Sequence, residues 1–276
     1  MDRPQLYAKF QDLQKTDNVF VLEKFFDISR WKIEGENALD IGCGDGRFLF
    51  EHLIPKLPKH FGKIVAGDCS QNMLEFAKSR YRTPKVDFVQ IDIGSENIPE
   101  EFENQFHHIY SFYTLHWVKK QRRAFQNIFN MLKPGGDILM SFIAKSNLYD
   151  IYENMSKHKK WQHYSTKEYI SPYHTLKNPE KYLRNLLRKI GFDIKVCKMV
   201  QRSFLFPNLE VFKNTISAVN PIIPKLPPDD VETYLEDFIT EVENLKCVTI
   251  KNLNNNGEKT IREFHKIFIV VASKPL

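Results

Sequence analysis

Apolar and polar positions along the chain alternate between two periods. Short apolar runs of strand length recur at Asn37–Ile41, Lys63–Gly67, Val86–Ile91, His108–Phe112 and Asp137–Ile143. Between them, at Phe48–Leu57, Asn72–Tyr81 and Ala124–Leu132, apolar residues return every three or four positions, the spacing of one helix face. Strands alternating with helices predict an α/β fold on a mostly parallel sheet. Downstream, Pro179–Ile190 keeps helical spacing and stops at Gly191, a C-cap residue. Asp193–Phe206 and Arg262–Ala272 read as long strands that form an antiparallel pair at the sheet edge. Val231–Leu245 and Ser146–Tyr164 read as helices, and Asn252–Gly257 as a turn cluster. Near the start, Leu6, Phe10, Leu13, Val21 and Phe25 share helical spacing, with Tyr7 and Gln14 on one stripe. Residues 1–30, 146–178 and 207–250 do not fit the alternation. They are read as a helical cap over the carboxyl edge of the sheet, where open α/β sheets bind ligands. The whole chain, 1–276, is read as one domain.

Composition narrows the class. With 276 residues, 42% of them hydrophobic, the chain is long enough for a full core without disulfide staples. Disordered and disulfide-rich classes are excluded. The apolar runs Ile138–Ala144 and Ile267–Ala272 fall far short of the ~20 residues of a spanning helix. The first residues lack the apolar stretch of a signal peptide, so a cytoplasmic protein is expected. Cys43, Cys69, Cys197 and Cys247 are widely spaced and read as free thiols, and no Cys/His grouping has metal-ligand spacing. The net charge of +6 is uneven: residues 1–118 carry −4, residues 119–206 carry +12, and the remainder −2. A basic middle suits nucleic acid, a small anion, or a solvated face.

The chemistry starts at Asp40-Ile41-Gly42-Cys43-Gly44-Asp45-Gly46, directly after a strand and opening a helix. Glycines there allow a tight turn and close approach of a ligand to the backbone. Position 47 is Arg, so the G-x-G-x-x-G dinucleotide pattern fails, and no GK[ST] ending is present. Asp68 ends the next strand, placed to accept hydrogen bonds from two ribose hydroxyls. Asp92-Ile93 ends the one after, where a carboxylate can take an adenine amino group and a backbone N–H a ring nitrogen. A lone strand-end Asp is ordinarily a helix cap. Three in succession, the first fused to the glycines, point to a nucleoside.

At these residues the chain resembles the class I S-adenosylmethionine-dependent methyltransferases: LDIGCGDG, VAGDCSQNML, VQIDI and the turn MLKPGG follow in that family's order. The resemblance covers residues 36–145 and implies a Rossmann-like cofactor-binding core. It implies that Gly42, Cys43, Gly44 and Gly46 approach the methionine part of S-adenosyl-L-methionine and that Asp40 orients its ammonium. Asp68 would take the ribose, Asp92 and Ile93 the adenine, and the Ser111 carbonyl the ammonium. Cys69 would pack on the adenine or ribose.

The acceptor must be read near the sulfonium. Ser111–Val118, SFYTLHWV, leaves the fourth strand there. The string LY-x(6)-LQK-x-D, then IGCGDG, SFYTLHWV, MLKPGG and YISPYH, is similar to the juvenile hormone acid methyltransferases of arthropods nearly end to end. That resemblance implies that Gln14 and Trp117 hold a substrate carboxylate. Tyr7, His116, Tyr149 and Trp161 are read from the sequence as candidates to line the pocket around the acid. Two neutral donors suit this chemistry, because a carboxylic acid is already ionised at neutral pH and needs no base. Neither the reaction nor the residues call for a metal. The expected substrate is a small hydrophobic carboxylic acid, a juvenile hormone acid or farnesoic acid, with no nucleic acid and no membrane span; a homodimer stays open. The alternatives are methyl transfer to a small organic acid, a fatty acid or RNA, or a ligand-binding paralogue without catalysis. Sequence leaves unresolved which acid is preferred and whether an epoxide matters.

Overall fold

A computed structural model describes residues 3–28, 31–32, 34–164, 166–245, 249–253 and 258–276. Cys247 and positions 254–257 of the expected turn lie outside the described residues. The strands are β1 Ala38–Ile41, β2 Ile64–Asp68, β3 Val86–Gln90, β4 Phe106–Phe112, β5 Leu132–Ser146, β6 Asp193–Phe206, β7 Thr249–Leu253 and β8 Glu258–Ser273. The helices are α1 Pro4–Phe10, α2 Asp12–Phe25, α3 Gln71–Arg80, α4 Gln121–Met131, α5 Asn147–Met155, α6 Pro179–Ile190, α7 Leu209–Val219 and α8 Val231–Asn244.

The sheet runs β3-β2-β1-β4-β5-β8-β6, with β7 paired to β8. β1 to β5 are parallel, whereas β8 runs antiparallel to both β5 and β6. The expected α/β architecture with an antiparallel edge pair is therefore present. Strand order reverses at β1, which has β2 on one side and β4 on the other. A crevice opens at such a switch point beyond the carboxyl ends of the strands. Alternate residues of the central strands pack into two cores, one per face: Tyr110 and Leu139 on one, Ile109, Ile138 and Met140 on the other.

Local chemistry explains most boundaries. Ser70 caps α3 by accepting from the Met73 N–H at 3.2 Å, and Asn208 caps α7 by accepting from Val211 N–H at 2.9 Å. Gly191 ends α6 with φ +119°. Three sequence expectations change. The segment 48–57 is not a regular helix: it widens into a π turn over Leu49–Leu53 and tightens over Ile54–Lys56, where Pro55 removes an N–H. The helix expected over 146–164 stops at Met155, just before the Lys157–Lys160 run that would stack like charges one turn apart. The N-terminal stripe is broken at Gln11 between α1 and α2. The face that α2 buries carries Gln14, Asp17 and Asn18 beside Leu13, Val21, Leu22 and Phe25.

Candidate active site

Beyond the ends of β1, β2 and β4 lies a chamber of about 810 Å³, within the range of small-molecule sites. The glycine loop forms its floor. Gly42, Gly44 and Gly46 have φ of +78°, +57° and +77°, the left-handed region that only glycine enters freely. At Gly42 space adds a second constraint, since a Cβ would sit 2.0 Å from Thr114 Oγ1. The Gly42 and Cys43 N–H groups both donate to the Gly67 carbonyl, at 2.7 and 3.0 Å, and tie the loop to β2. Asp68 accepts from Gly44 N–H on Oδ2 and from Ser70 N–H on Oδ1, each at 2.9 Å. These bonds fix the Asp68 carboxylate while its other lone pairs face the chamber. Asp92 accepts from Gly94 N–H at 2.8 Å and lines the chamber with Ile93 and Cys69.

Asp40 also lines the chamber, yet its carboxylate makes no hydrogen bond among the described residues. Burial, reinforced by the nearby Asp68 charge, pushes it up to about 7. An unpaired buried carboxylate beside an anion is a place for a cation. The donors, the glycine cradle and this carboxylate fit a nucleoside that carries an ammonium.

A narrower slot, about 60 Å³, branches from the chamber. Tyr7, Tyr113, Trp117 and Val219 line both spaces. Leu13, Ile143, Leu148, Tyr152, Phe206 and Ile216 make most of the slot apolar. Its polar atoms are few. Gln14 lines it from α2 and makes no hydrogen bond; its Oε1 is buried and unpartnered. The Trp117 indole N–H has no partner among the described residues. His116 accepts at Nδ1 from Ile143 N–H at 3.4 Å, which places its proton on Nε2. Burial, with Lys119 nearby, pushes His116 down to about 3, so the ring is neutral.

One wall of the slot is an ion network. The His265 ring donates from Nε2 to Asp17 at 2.6 Å and from Nδ1 to Glu263 at 2.5 Å. Between two carboxylates its charged form is favoured, and its pKa is raised to about 9 despite burial. Asp17 also accepts from the Tyr113 hydroxyl at 2.5 Å and from Arg202 Nε at 2.7 Å, and Glu263 accepts from Ser146 Oγ at 3.0 Å. Tyr113 holds φ +56°, a strained conformation for a side-chain-bearing residue.

Most of the expected site residues line one or both spaces, and three do not. Asp40, Gly42, Cys43, Gly44, Asp68, Cys69, Asp92 and Ile93 line the chamber, Gln14, His116 and Tyr149 the slot, and Tyr7 and Trp117 both. Gly46 stands at the end of the loop, where a Cβ would lie 3.1 Å from that of Ala77. Ser111 stands behind the wall, its Oγ donating to the Ile41 carbonyl at 2.9 Å; Phe112, Tyr113 and Thr114 face the chamber. Trp161 lines neither space. Its indole donates to Asp237 at 2.7 Å and its ring meets Tyr234 edge-on, joining the turns after α5 to α8. Sequence reasoning missed Asp17, Tyr113, Thr114, Glu263 and His265. The signal for two of them was present: in Glu263-Phe264-His265 the polar residues are buried and the phenylalanine is exposed, an inverted alternation.

Comparison with known proteins agrees with this geometry. Residues 38–136 match the model of a methyltransferase domain. The chain is 34% identical to the juvenile hormone acid O-methyltransferase of Bombyx mori, over 99% of this chain and 98% of that one. To the enzyme of the same description from Drosophila melanogaster it is 32% identical, over 99% and 93%. Among solved structures, Haemonchus contortus phosphoethanolamine N-methyltransferase 2, in complex with S-adenosyl-L-methionine, superposes with a TM-score of 0.52 at 17% identity. That match covers 95% of this chain and 53% of the other, and shows the fold alone.

Proposed function

The chain belongs to the juvenile hormone acid O-methyltransferase family, and from that premise we propose how its chamber and slot divide one reaction. It is an S-adenosyl-L-methionine-dependent carboxyl methyltransferase that esterifies a juvenile hormone acid. When bound, the cofactor supplies an electrophilic methyl group on a sulfonium. Residues 36–145 form the cofactor half, and the described residues of 3–28, 146–178 and 207–245 the cap. Asp40 would pair with the ammonium, and Gly42, Cys43 and Gly44 would let the methionine part lie on the backbone, while Gly46 and Ser111, which do not line the chamber, would shape the loop and the strand behind it. Asp68 accepts from the ribose hydroxyls, while Asp92, Ile93 and Cys69 hold the adenine.

The acid enters the slot. The amide of Gln14 and the indole N–H of Trp117 donate to its carboxylate, and the neutral Nε2–H of His116 is a third donor. Tyr7, at the junction of the two spaces, packs where the reacting atoms meet. The carboxylate is the nucleophile as it arrives, so these residues move no proton. Their work would be orientation, turning one carboxylate oxygen toward the methyl group that the cofactor would supply. Neutral donors hold the anion without the ion pair that would stabilise it as much before reaction as during it. The apolar walls exclude water and strengthen the attraction between acid and sulfonium.

The observation that carries this reading is a pair of slot-lining side chains without a hydrogen-bond partner among the described residues: Gln14, whose buried Oε1 is unpartnered, and Trp117, which also lines the chamber. Labelled cofactor offered with farnesoic acid, juvenile hormone acids and common fatty acids tests it by mass spectrometry of the esters. Trp117→Phe and Gln14→Ala should each lower kcat/KM roughly a hundredfold, with cofactor affinity within about threefold of wild type. Unchanged turnover in both variants would refute the assignment.

A further inference from the structure

Tyr149 lies on α5, 3% exposed, with its hydroxyl buried and without a hydrogen-bond partner. The side chain lines the slot among Leu148, Ile143, Phe206 and Ile216. Its ring is fixed, edge-on to His174 at 5.2 Å. Burial, with Tyr152 and then the Glu263 charge nearby, pushes the phenol far up, so the proton stays on oxygen and the group is a donor. Glu263 does not relieve it. Its two oxygens are engaged by Ser146 and His265. Folded proteins seldom leave a buried donor unpaired, and a donor on a side chain that lines a ligand space can be completed by the ligand.

We propose that Tyr149 is a specificity-determining residue whose hydroxyl donates to an ether-type oxygen, such as an epoxide, on the hydrocarbon chain of the acid. This rests on the proposed placement of the carboxylate at Gln14 and Trp117, which leaves Tyr149 to the chain. Hydrocarbon offers it no acceptor. A second carboxylate there would stand beside Glu263 and be repelled. A hydroxyl would bring a further donor to an apolar wall, whereas an ether oxygen accepts and asks nothing more. The slot thus selects an acid with an uncharged oxygen in its chain over the plain acid.

Three acids test this on the full-length protein: farnesoic acid, the same acid epoxidised at its terminal double bond, and the analogue with a cyclopropane in place of the epoxide. Wild type should favour the epoxide over both others by roughly tenfold or more in kcat/KM. In Tyr149→Phe the three should fall within about twofold of one another, with the plain acid gaining. A cap merely loosened by the substitution would lower all three alike and keep the ratio. Retention of the preference in Tyr149→Phe, or a cyclopropane acid as good as the epoxide in wild type, would overturn the assignment. The second comparison needs no variant. Failure of wild type to esterify any of the three would instead overturn the reading of the slot as an acid site, and this inference with it. Calorimetric affinity for S-adenosylhomocysteine, expected to match wild type, separates a folding defect from lost selectivity.

Discussion

Asp40 is the residue whose state most directly reports the chemistry of the chamber. Burial and the nearby Asp68 charge push its carboxyl up to about 7, and only the ionised form pairs with an ammonium. Below about pH 7 binding must first release a proton, so cofactor affinity should fall, by up to about tenfold per pH unit. Calorimetry with S-adenosylhomocysteine between about pH 5.5 and 8 reads the slope. Asp40→Asn should bind more weakly and with a flat profile; a steep profile in that variant would place the titration elsewhere. Asp40, Asp68 and Asp92 were legible in the sequence because each sits at or just beyond the carboxyl end of a strand in the same sheet. Tyr113 was not. Its importance lies in a positive φ and in a bond to Asp17, and neither is encoded in a local pattern. Thr114 was hidden in the same way, since its effect is the space it takes above Gly42.

At the scale of elements, α2 behaves as a splint. It carries Gln14 to the slot, and its next turn is fastened by Asp17 to His265, Tyr113 and Arg202, and by Asn18 to Ser141. The amide is therefore positioned by an ion network on β8 and β6. His265 is raised from 6.5 to about 9, so the stability it contributes is complete below about pH 6.5 and lost as pH rises through about 9. Asp17 is lowered from its ordinary value, and its contribution is lost only in acid. Thermal unfolding should therefore move to lower temperature between about pH 6.5 and 9. His265→Gln should start lower and change less across that window. An unaltered slope in the variant would show that the network does not hold a charged imidazole. The apolar periodicity located the buried face of α2 through Leu13, Val21 and Phe25, but Asp17 and Asn18, buried on that same face, carry no local signal of it, because their partners lie far away in sequence. The π turn after the glycine loop was invisible for a different reason: apolar residues recur there, but Pro55 removes the hydrogen bond that a regular helix requires.

For the whole molecule, the order of the sheet was the most legible feature, since strand and helix periods alternate in sequence and parallel connections leave few topologies. The uneven charge needed the structure. Glu96 pairs with Lys120 and Arg123, and Lys119 donates to the Lys167 and Ile170 carbonyls, so part of the basic middle is spent locally. What remains near the chamber attracts a singly charged acid only weakly. Raising salt from about 20 to 200 mM should lower kcat/KM for such an acid by no more than a few-fold. A fall of three or more decades would point to a polyanion.

The slot is built of two materials. Its ionic wall stands on strands β8 and β6 and on α2, each locked to the others. Its apolar residues Leu148, Tyr152 and Ile216 stand on α5 and α7, outside that lattice of charges. Exchanges among them can lengthen, shorten or re-line the space without moving the donors at its mouth. Gene duplicates of such a protein can therefore diversify in the acids they accept while conserving the transfer step, and α5 and α7 are where that record of divergence would be written.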